Sequence, residues 1–517
     1  MGKPAKIPKP PDENDKKRMQ GSDYDPMGEL VELHPEQPTA RPSGKPKSQA
    51  AAMLALFEAH HGEAFRSLDD RPLFCLTEGG RRQTMQLPPA VKALARWHYL
   101  QTGQPATARS REEVRNHLEA LAEAGPKRQT WLRVAEHDGS LYLDLGDETW
   151  RVVRIASEGW EVIDCPPVCF VRPGAMLPLP VPVHGGNVAE LFELVNIPTG
   201  PDRALALAWL VSTLRPSLSM PILALSGEHG SCKSTTARLL AALIDHHQAG
   251  LRTRPKEEQT VMVSAQSSWV LAYDNLSTMP AWLSDTLCCL STGASHTART
   301  LYTDGEESVL RAQRPVILTS IEDIASRSDL LDRTIVLSLP TIPEAMRRTE
   351  QAVSNAFRAA HPRILGALLD AAAHALRTLP DVVLGPLPRM ADFARFAIAA
   401  ELGLGLCEGE FLRAYRDNRQ DAHGQALDAC PLVEPLERFM SGVSEWTGTA
   451  TDLLAALEDK TTEGQKARPG WPKDGTRLSG QLRRIAPNMR SRGLDIKQSR
   501  ESGGHRKRLI VIAKVRP

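Results

Sequence analysis

Two hydrophobic periodicities alternate along the 517-residue chain. In residues 49–65 the apolar positions Met53, Leu54, Leu56, Phe57 and Phe65 recur at helical spacing, and residues 88–100 and 111–124 do the same. Short β-type runs follow at 131–135, 140–145, 149–155 and 160–163. They are divided by Asp138-Gly139, Gly146-Asp147 and Glu158-Gly159, the spacing of a meander. This predicts an α+β domain over residues 47–185, closed by the Pro-rich connector 166–186. Helical spacing returns at 343–379, 388–402, 408–423 and 432–440, predicting a helical lid over 343–442. Within 443–517 the helical runs 450–458 and 478–489 precede strands 494–498 and 508–513, which flank Glu501-Ser-Gly-Gly-His505. Helix, helix, strand, glycine turn, strand is the order of a winged helix. Residues 1–46 are rich in Pro, Lys, Asp and Gly and poor in apolar residues, so they read as a disordered tail.

The central stretch 186–342 predicts an α/β P-loop core. Its apolar run 221–225 leads into Gly227-Glu228-His229-Gly230-Ser231-Cys232-Lys233-Ser234-Thr235, and a helical run 236–244 follows. Strand, glycine loop and helix in this order make a phosphate-binding loop, in which backbone N–H groups and the helix N-terminus face an anion. Lys233 supplies a full charge for the β- and γ-phosphates of ATP, and the Ser234 hydroxyl is a Mg²⁺ ligand. Cys232 stands where the pattern usually has glycine, at the expected first residue of the helix.

A phosphate loop alone does not separate a kinase from a motor. Downstream, Trp269-Val-Leu-Ala-Tyr-Asp274-Asn275 is an apolar strand ending in a carboxylate, the Walker B arrangement that sets Asp274 beside Ser234 at the metal. Arg314-Pro-Val-Ile-Leu-Thr319-Ser320 is a second buried-type strand, with hydroxyls at its carboxyl end that can orient an attacking water. Ser328-Asp329-Leu-Leu-Asp332-Arg333 then closes a helix before the strand 334–339. There Arg333 is either a surface arginine paired to Asp329 or Asp332, or a charge that reaches a neighbouring subunit.

This order of motifs resembles that of AAA+ ATPases, and more closely the superfamily-3-like ATPases of viral, plasmid and phage primase-helicases, including the virulence-associated E and poxvirus types. The resemblance rests on residues 227–235, 269–275, 287–304, 315–323 and 329–340. It implies a DNA-engaged ATPase in a homo-oligomeric ring, a hexamer, that works with a separate primase. Lys233, Ser234 and Asp274 would lie at the nucleotide, with Arg333 as an arginine finger in trans. It also implies that the Arg299-x-x-Tyr302 loop faces the ring pore, where arginine and an aromatic suit phosphate and base. The sequence departs from the family at Asn275, where a second acid commonly serves as base. It departs again at Thr319 or Ser320 in place of a sensor asparagine, and at Cys232.

Charge refines the picture. Lys plus Arg number 63 and Asp plus Glu 62, so affinity for DNA must come from a local patch. From Trp471 to Pro517 there are 13 basic residues against three acids. Arg477, Arg483, Arg484 and Arg490 fall on the candidate recognition helix, and Arg506, Lys507 and Arg508 on the wing. Eight irregularly spaced cysteines and no signal-like start suggest a reducing cytoplasm. Cys165 and Cys169 read as a strand-edge turn rather than a metal site. No run approaches the roughly 20 apolar residues of a membrane span. Two other readings stay open: a P-loop phosphotransferase, and a DNA-binding initiator that uses ATP only to assemble.

Overall fold

The computed structural model describes residues 48–198, 200–276, 279–293, 295–299, 307–320, 328–428, 430–467, 470–490, 492–500 and 508–515. The tail over 1–46, Tyr302, Arg506 and Lys507 lie outside them. Among the described residues no helix is long and apolar enough to cross a membrane.

The chain opens with α1 (Gln49–Ala59), which ends six residues before the periodicity does. His61 takes φ +50°, and Gly62 lies so close to Phe57 that a Cβ would stand 2.6 Å from the ring. Phe65 therefore enters β1 (Glu63–Ser67) instead. β2 (Pro72–Glu78) and β3 (Arg81–Gln86) complete an antiparallel hairpin that the periodicity did not reveal. Helices α2 (Leu87–Thr102) and α3 (Ala108–Ala124) pack with α1 over this sheet, burying Met53, Phe57, Phe74, Leu94 and Leu118. β4 (Lys127–Arg128) joins β1 in parallel.

The expected strand 131–135 is two pieces, β5 (Thr130–Trp131) and β6 (Val134–His137), because Arg133 between them adopts φ +64°. β6, β7 (Ser140–Asp144), β8 (Val152–Ala156) and β9 (Gly159–Ile163) form the antiparallel meander. Asp147 makes the turn expected of it, accepting from Arg151 N at 3.0 Å. Asp144 is fully buried and paired with Arg172. β10 (Cys169–Phe170) pairs with β5.

After α4 (Pro201–Ser212) comes a parallel sheet, built from β11 (Ile222–Ser226), β12 (Leu271–Tyr273), β15 (Val316–Thr319) and β16 (Thr334–Ser338) in the order β12-β15-β11-β16. Ile222–Leu225 and Val316–Thr319 are buried throughout, as strands covered on both faces must be. Helices α5 (Lys233–Ile244), α6 (Glu258–Ser267), α7 (Ala281–Thr292) and α8 (Ser328–Leu331) connect them. β13 (Ser295–Arg299) and β14 (Glu307–Arg311) pair as an antiparallel hairpin, so Arg299 ends a strand, while Tyr302 of the expected Arg299-x-x-Tyr302 loop lies outside the described residues.

The helical run expected from 343 begins only at α9 (Glu350–Thr378), preceded by a single 3₁₀ turn at Glu344–Met346. The connector docks on α9, with Val183 N donating to Pro362 O at 3.0 Å. Gly186 and Gly366 permit that approach, since a Cβ on either would fall about 2 Å from a backbone oxygen, at 2.0 and 1.9 Å. With α10 (Ala391–Ala400) and α11 (Glu410–Asp428), this places one continuous apolar core from Val134 to Tyr415, shared by meander, sheet and helices.

A second core lies in the C-terminal region, formed by α12 (Val433–Ser441), β17 (Glu445–Thr449), α13 (Ala450–Asp459), α14 (Glu463–Lys466), α15 (Gly475–Met489), β18 (Leu494–Arg500) and β19 (Arg508–Lys514). The strands form an antiparallel sheet, β17-β19-β18, on which Leu453, Leu457, Leu478 and Leu482 pack with Ile496, Ile510 and Ile512. β17 has no counterpart in the sequence reading.

Candidate nucleotide site and basic face

The loop Gly227–Thr235 leaves the carboxyl end of β11 and returns as α5, which starts at Lys233. Gly227 takes φ +146°, and a Cβ there would sit 2.5 Å from Leu339 O, so the loop passes against the chain leaving β16. Cys232 is not the first helical residue; it caps the helix in the left-handed region, φ +58°. A side chain there costs roughly 1–2 kcal/mol relative to glycine, which is why the pattern favours glycine. Its thiol is exposed. Glu228, His229 and Gly230 are also exposed, Ser231 is buried, and Thr235 lies half-buried on the first turn of α5.

Lys233 Nζ folds back on the loop, donating to Gly227 O and Glu228 O at 2.7 Å each and to Ser231 Oγ at 3.3 Å. Desolvation lowers the pKa of its ammonium, an effect opposed by the nearby Asp274 carboxylate. The Ser234 hydroxyl donates to Asp274 Oδ1 at 2.8 Å, and Thr319 Oγ1 donates to the same oxygen at 2.5 Å. Thr319 Oγ1 in turn accepts from Asn275 N at 2.9 Å. Ser234, Asp274, Asn275 and Thr319 thus converge at the carboxyl ends of β11, β12 and β15, where open parallel sheets bind ligands. Ser320 is buried, with its N–H donated to Leu225 O, so Thr319 is the hydroxyl that reaches the carboxylate. Asn275 adopts φ +53°, a left-handed conformation that Asn tolerates.

Thr319→Val should strand Asn275 N–H and remove a donor from Asp274. The expected loss is about 1–3 kcal/mol of stability, read as a lower denaturant midpoint, whereas Thr319→Ser should keep the wild-type midpoint.

β12 is shorter than the apolar run 269–275, because the N–H groups of Trp269 and Val270 donate to Asp245 Oδ2 at 2.7 and 3.1 Å. Asp245 Oδ1 accepts from Arg133 Nε at 3.0 Å, with both side chains buried. Arg133 also donates to the carbonyls of Asp144, Leu177 and His246. One buried arginine therefore joins the meander, the connector and the strand that carries Asp274.

Arg333 precedes β16, and its carbonyl accepts from Ile222 N at 2.8 Å. In a parallel sheet this puts it at the end opposite the glycine loop. Its Nη1 lies 3.9 Å from Cys288 Sγ. Asp332 is engaged by His423 at 3.0 Å, Arg389 at 2.9 Å and Arg419 at 3.3 Å, and the His423 hydrogen bond leads in holding its carboxyl down to about 2.

Two residues beside the loop gave no sequence signal. Asn196 Nδ2 donates to Ser231 O at 3.0 Å and to Pro340 O at 2.6 Å, tying the loop to the segment after β16. Arg347 lies against Gly230, 3.5 Å from where a Cβ would be.

On the C-terminal region, Arg483 Nη2 donates to Gln498 Oε1 at 3.2 Å and Arg484 Nε to Gly480 O at 3.3 Å. Arg483, Ser479, Gln498 and the exposed Arg508 line a cleft between α15 and β18–β19. Arg477 sits 3.5 Å from Asp474, and Arg490 is paired with Asp495 at 2.8 Å. Arg299 occupies the last position of β13.

Fold and site together define a mixed α/β protein with a glycine loop on a parallel sheet and a separate basic C-terminal region. Residues 188–423 match the family model described as actinomycete integrative conjugative element replication protein, and residues 432–517 match that of the AICE RepA C-terminal domain. Over both segments the chain is similar to the replication proteins of these elements. Similar solved structures include SCCmec type IV Cch, an active helicase, at 12% identity and TM-score 0.45, covering 88% of this chain and 93% of that one. Two apo structures of the NrS-1 C-terminal region are similar at 11% and 10% identity, with TM-scores of 0.38 and 0.40. They cover 89% and 90% of this chain, and 99% and 100% of their own. No curated protein matches the chain.

Proposed function

We propose that the protein is an ATP-driven DNA motor, a superfamily-3-type helicase serving the replication of a mobile element. The observation that carries this is the convergence of Ser234 and Thr319 on Asp274 Oδ1 beside the loop that holds Lys233. Gly227–Thr235 is then a phosphate loop. On ATP binding, Lys233 exchanges its two loop carbonyls for phosphate oxygens, and the N–H groups of the loop and of the α5 N-terminus face the β-phosphate. The Ser234 hydroxyl and Asp274 carboxylate are a hard-oxygen pair 2.8 Å apart, which fits Mg²⁺. When bound, Mg²⁺ would be held by Ser234 and Asp274 and would supply neutralisation of the phosphate charge. Thr319 fixes the orientation of Asp274 and of the Asn275 backbone. Arg333, at the far end of its own sheet, serves a neighbouring subunit in a ring, proposed to be a hexamer acting with a separate primase in the cytoplasm.

The C-terminal region acts as a winged helix that holds the DNA backbone. Arg483 and Arg484 form no ion pair among the described residues, whereas Arg490 is already matched by Asp495. Neutralising Arg483 and Arg484 together should lower the slope of log affinity against log salt on duplex DNA by about two units. Adding Arg490→Ala should change it by less than one more. An unchanged slope with a lowered melting temperature would make these arginines structural.

A second reading, a nucleotide-dependent initiator with little turnover, is favoured by Asn275, an amide that cannot take a proton where a base is expected. ATP turnover with and without single-stranded DNA separates the two, since the motor hydrolyses and the initiator only binds.

A further inference from the structure

A cavity of about 670 Å³ lies at the amino ends of β12 and β15, where Trp269 and Arg314 line it, whereas the glycine loop leaves the carboxyl end of β11. One wall is the β1–β2 turn with β5, and the other is α6 with Gly293 and Ala312, the residues flanking the β13–β14 hairpin. Its volume falls within the range of small-molecule sites. Arg314 lines it, with Nε donating to Ala265 O at 2.8 Å and Nη1 to Gln313 O at 2.7 Å. Its guanidinium stands 5.4 Å from the centre of the Trp269 ring. Among the described residues Arg314 forms no ion pair, and desolvation lowers its pKa to about 10, leaving it charged at neutral pH. The other charges at the cavity cancel, because Asp69 is held by Arg71 at 2.7 Å and by Ser67 at 2.5 Å. Asp245, the carboxylate nearest in electrostatic effect, faces Arg133. A desolvated cation without a carboxylate is a place for an anion. The half-buried Trp131 and the amides of Gln129 and Gln266 complete the lining, an aromatic surface and two-way hydrogen-bonding groups of the kind that receive a nucleobase.

We propose that this cavity binds a nucleotide, its phosphate at Arg314 and its base against Trp131, as an unpaired residue of a single DNA strand passing the root of the hairpin. The choice of a strand over a free nucleotide rests on the DNA engagement proposed above. The nucleotide chemistry does not.

Photo-crosslinking of the full chain tests this with a single-stranded oligonucleotide carrying 5-iododeoxyuridine, and separately with 5-iododeoxyuridine monophosphate. The expected result is oligonucleotide adducts within residues 127–134 or 262–269. Arg314→Gln, melting as the wild type does, should weaken oligonucleotide binding about tenfold. Adducts there from the mononucleotide alone would keep the site and assign it to free nucleotides. Oligonucleotide adducts confined to 295–311 and 471–515, with none from the mononucleotide, would overturn the proposal, and this map needs no variant to fold. ATP turnover is measured separately, so cavity adducts without turnover would sink the motor and leave this site standing.

Discussion

Lys233→Ala should reduce ATP affinity on the order of 10³-fold, measured by calorimetry or with a fluorescent nucleotide. A unit charge about 4 Å from a phosphate charge contributes about 4 kcal/mol at an effective dielectric near 20, and each 1.4 kcal/mol is tenfold in affinity. The ammonium is already partly desolvated, which strengthens its pull on phosphate. Its three partners in the loop are two carbonyls and a hydroxyl, none of them charged, so a nucleotide displaces no ion pair. Lys233→Arg should recover little, because a flat guanidinium fork does not reproduce the compact point charge of the ammonium. Unchanged affinity in Lys233→Ala would remove the phosphate-loop assignment.

Arg333→Ala should slow turnover about 10³-fold while leaving ATP affinity near wild type, as expected of a charge that acts on the transition state. Within its own protomer the residue has no route to the glycine loop. Its carbonyl pairs with Ile222 N at the start of β11, and the loop leaves at the other end. In the proposed ring, such an effect would arise between subunits. Mixing Arg333→Ala with Lys233→Ala should restore part of the activity, because hybrid interfaces combine an intact loop with an intact arginine. Failure to recover at any ratio, together with a lowered melting temperature, would instead give Arg333 a packing role beside Cys288 and the Asp332 cluster.

Much of the site can be read from sequence because its parts are local. Apolar runs such as 221–225 and 315–319 are continuous because their strands are covered on both faces, and each leads into the candidate site, the first into the glycine loop and the second into Thr319. The strand, glycine loop and helix pattern points to Lys233 and Ser234, and the apolar run ending in a carboxylate points to Asp274, which the fold brings to 2.8 Å from the Ser234 hydroxyl. The pattern leaves Thr319 and Ser320 open, and only packing separates them, since the Thr319 hydroxyl reaches Asp274 while Ser320 is buried with its N–H on Leu225 O. The rest depends on pairings that no periodicity encodes. Arg133 and Asp245 are 112 residues apart, and Asn196 reaches Ser231 across 35. β17, with the sequence Glu445-Trp-Thr-Gly-Thr449, is too polar and too short to register alone, and becomes a strand by pairing with β19. Cys232 was visible as a departure, but its left-handed backbone was not.

Steady-state ATP hydrolysis by the wild-type chain, with Mg²⁺ and with or without single-stranded DNA, tests the central claim most directly. The account predicts Mg²⁺-dependent turnover that DNA stimulates, and its loss in Asp274→Asn without loss of ATP binding, because that change alters the metal-facing oxygen and leaves the Lys233 cradle intact. ATP bound tightly but never hydrolysed, with or without DNA, would contradict it and leave the initiator reading in its place.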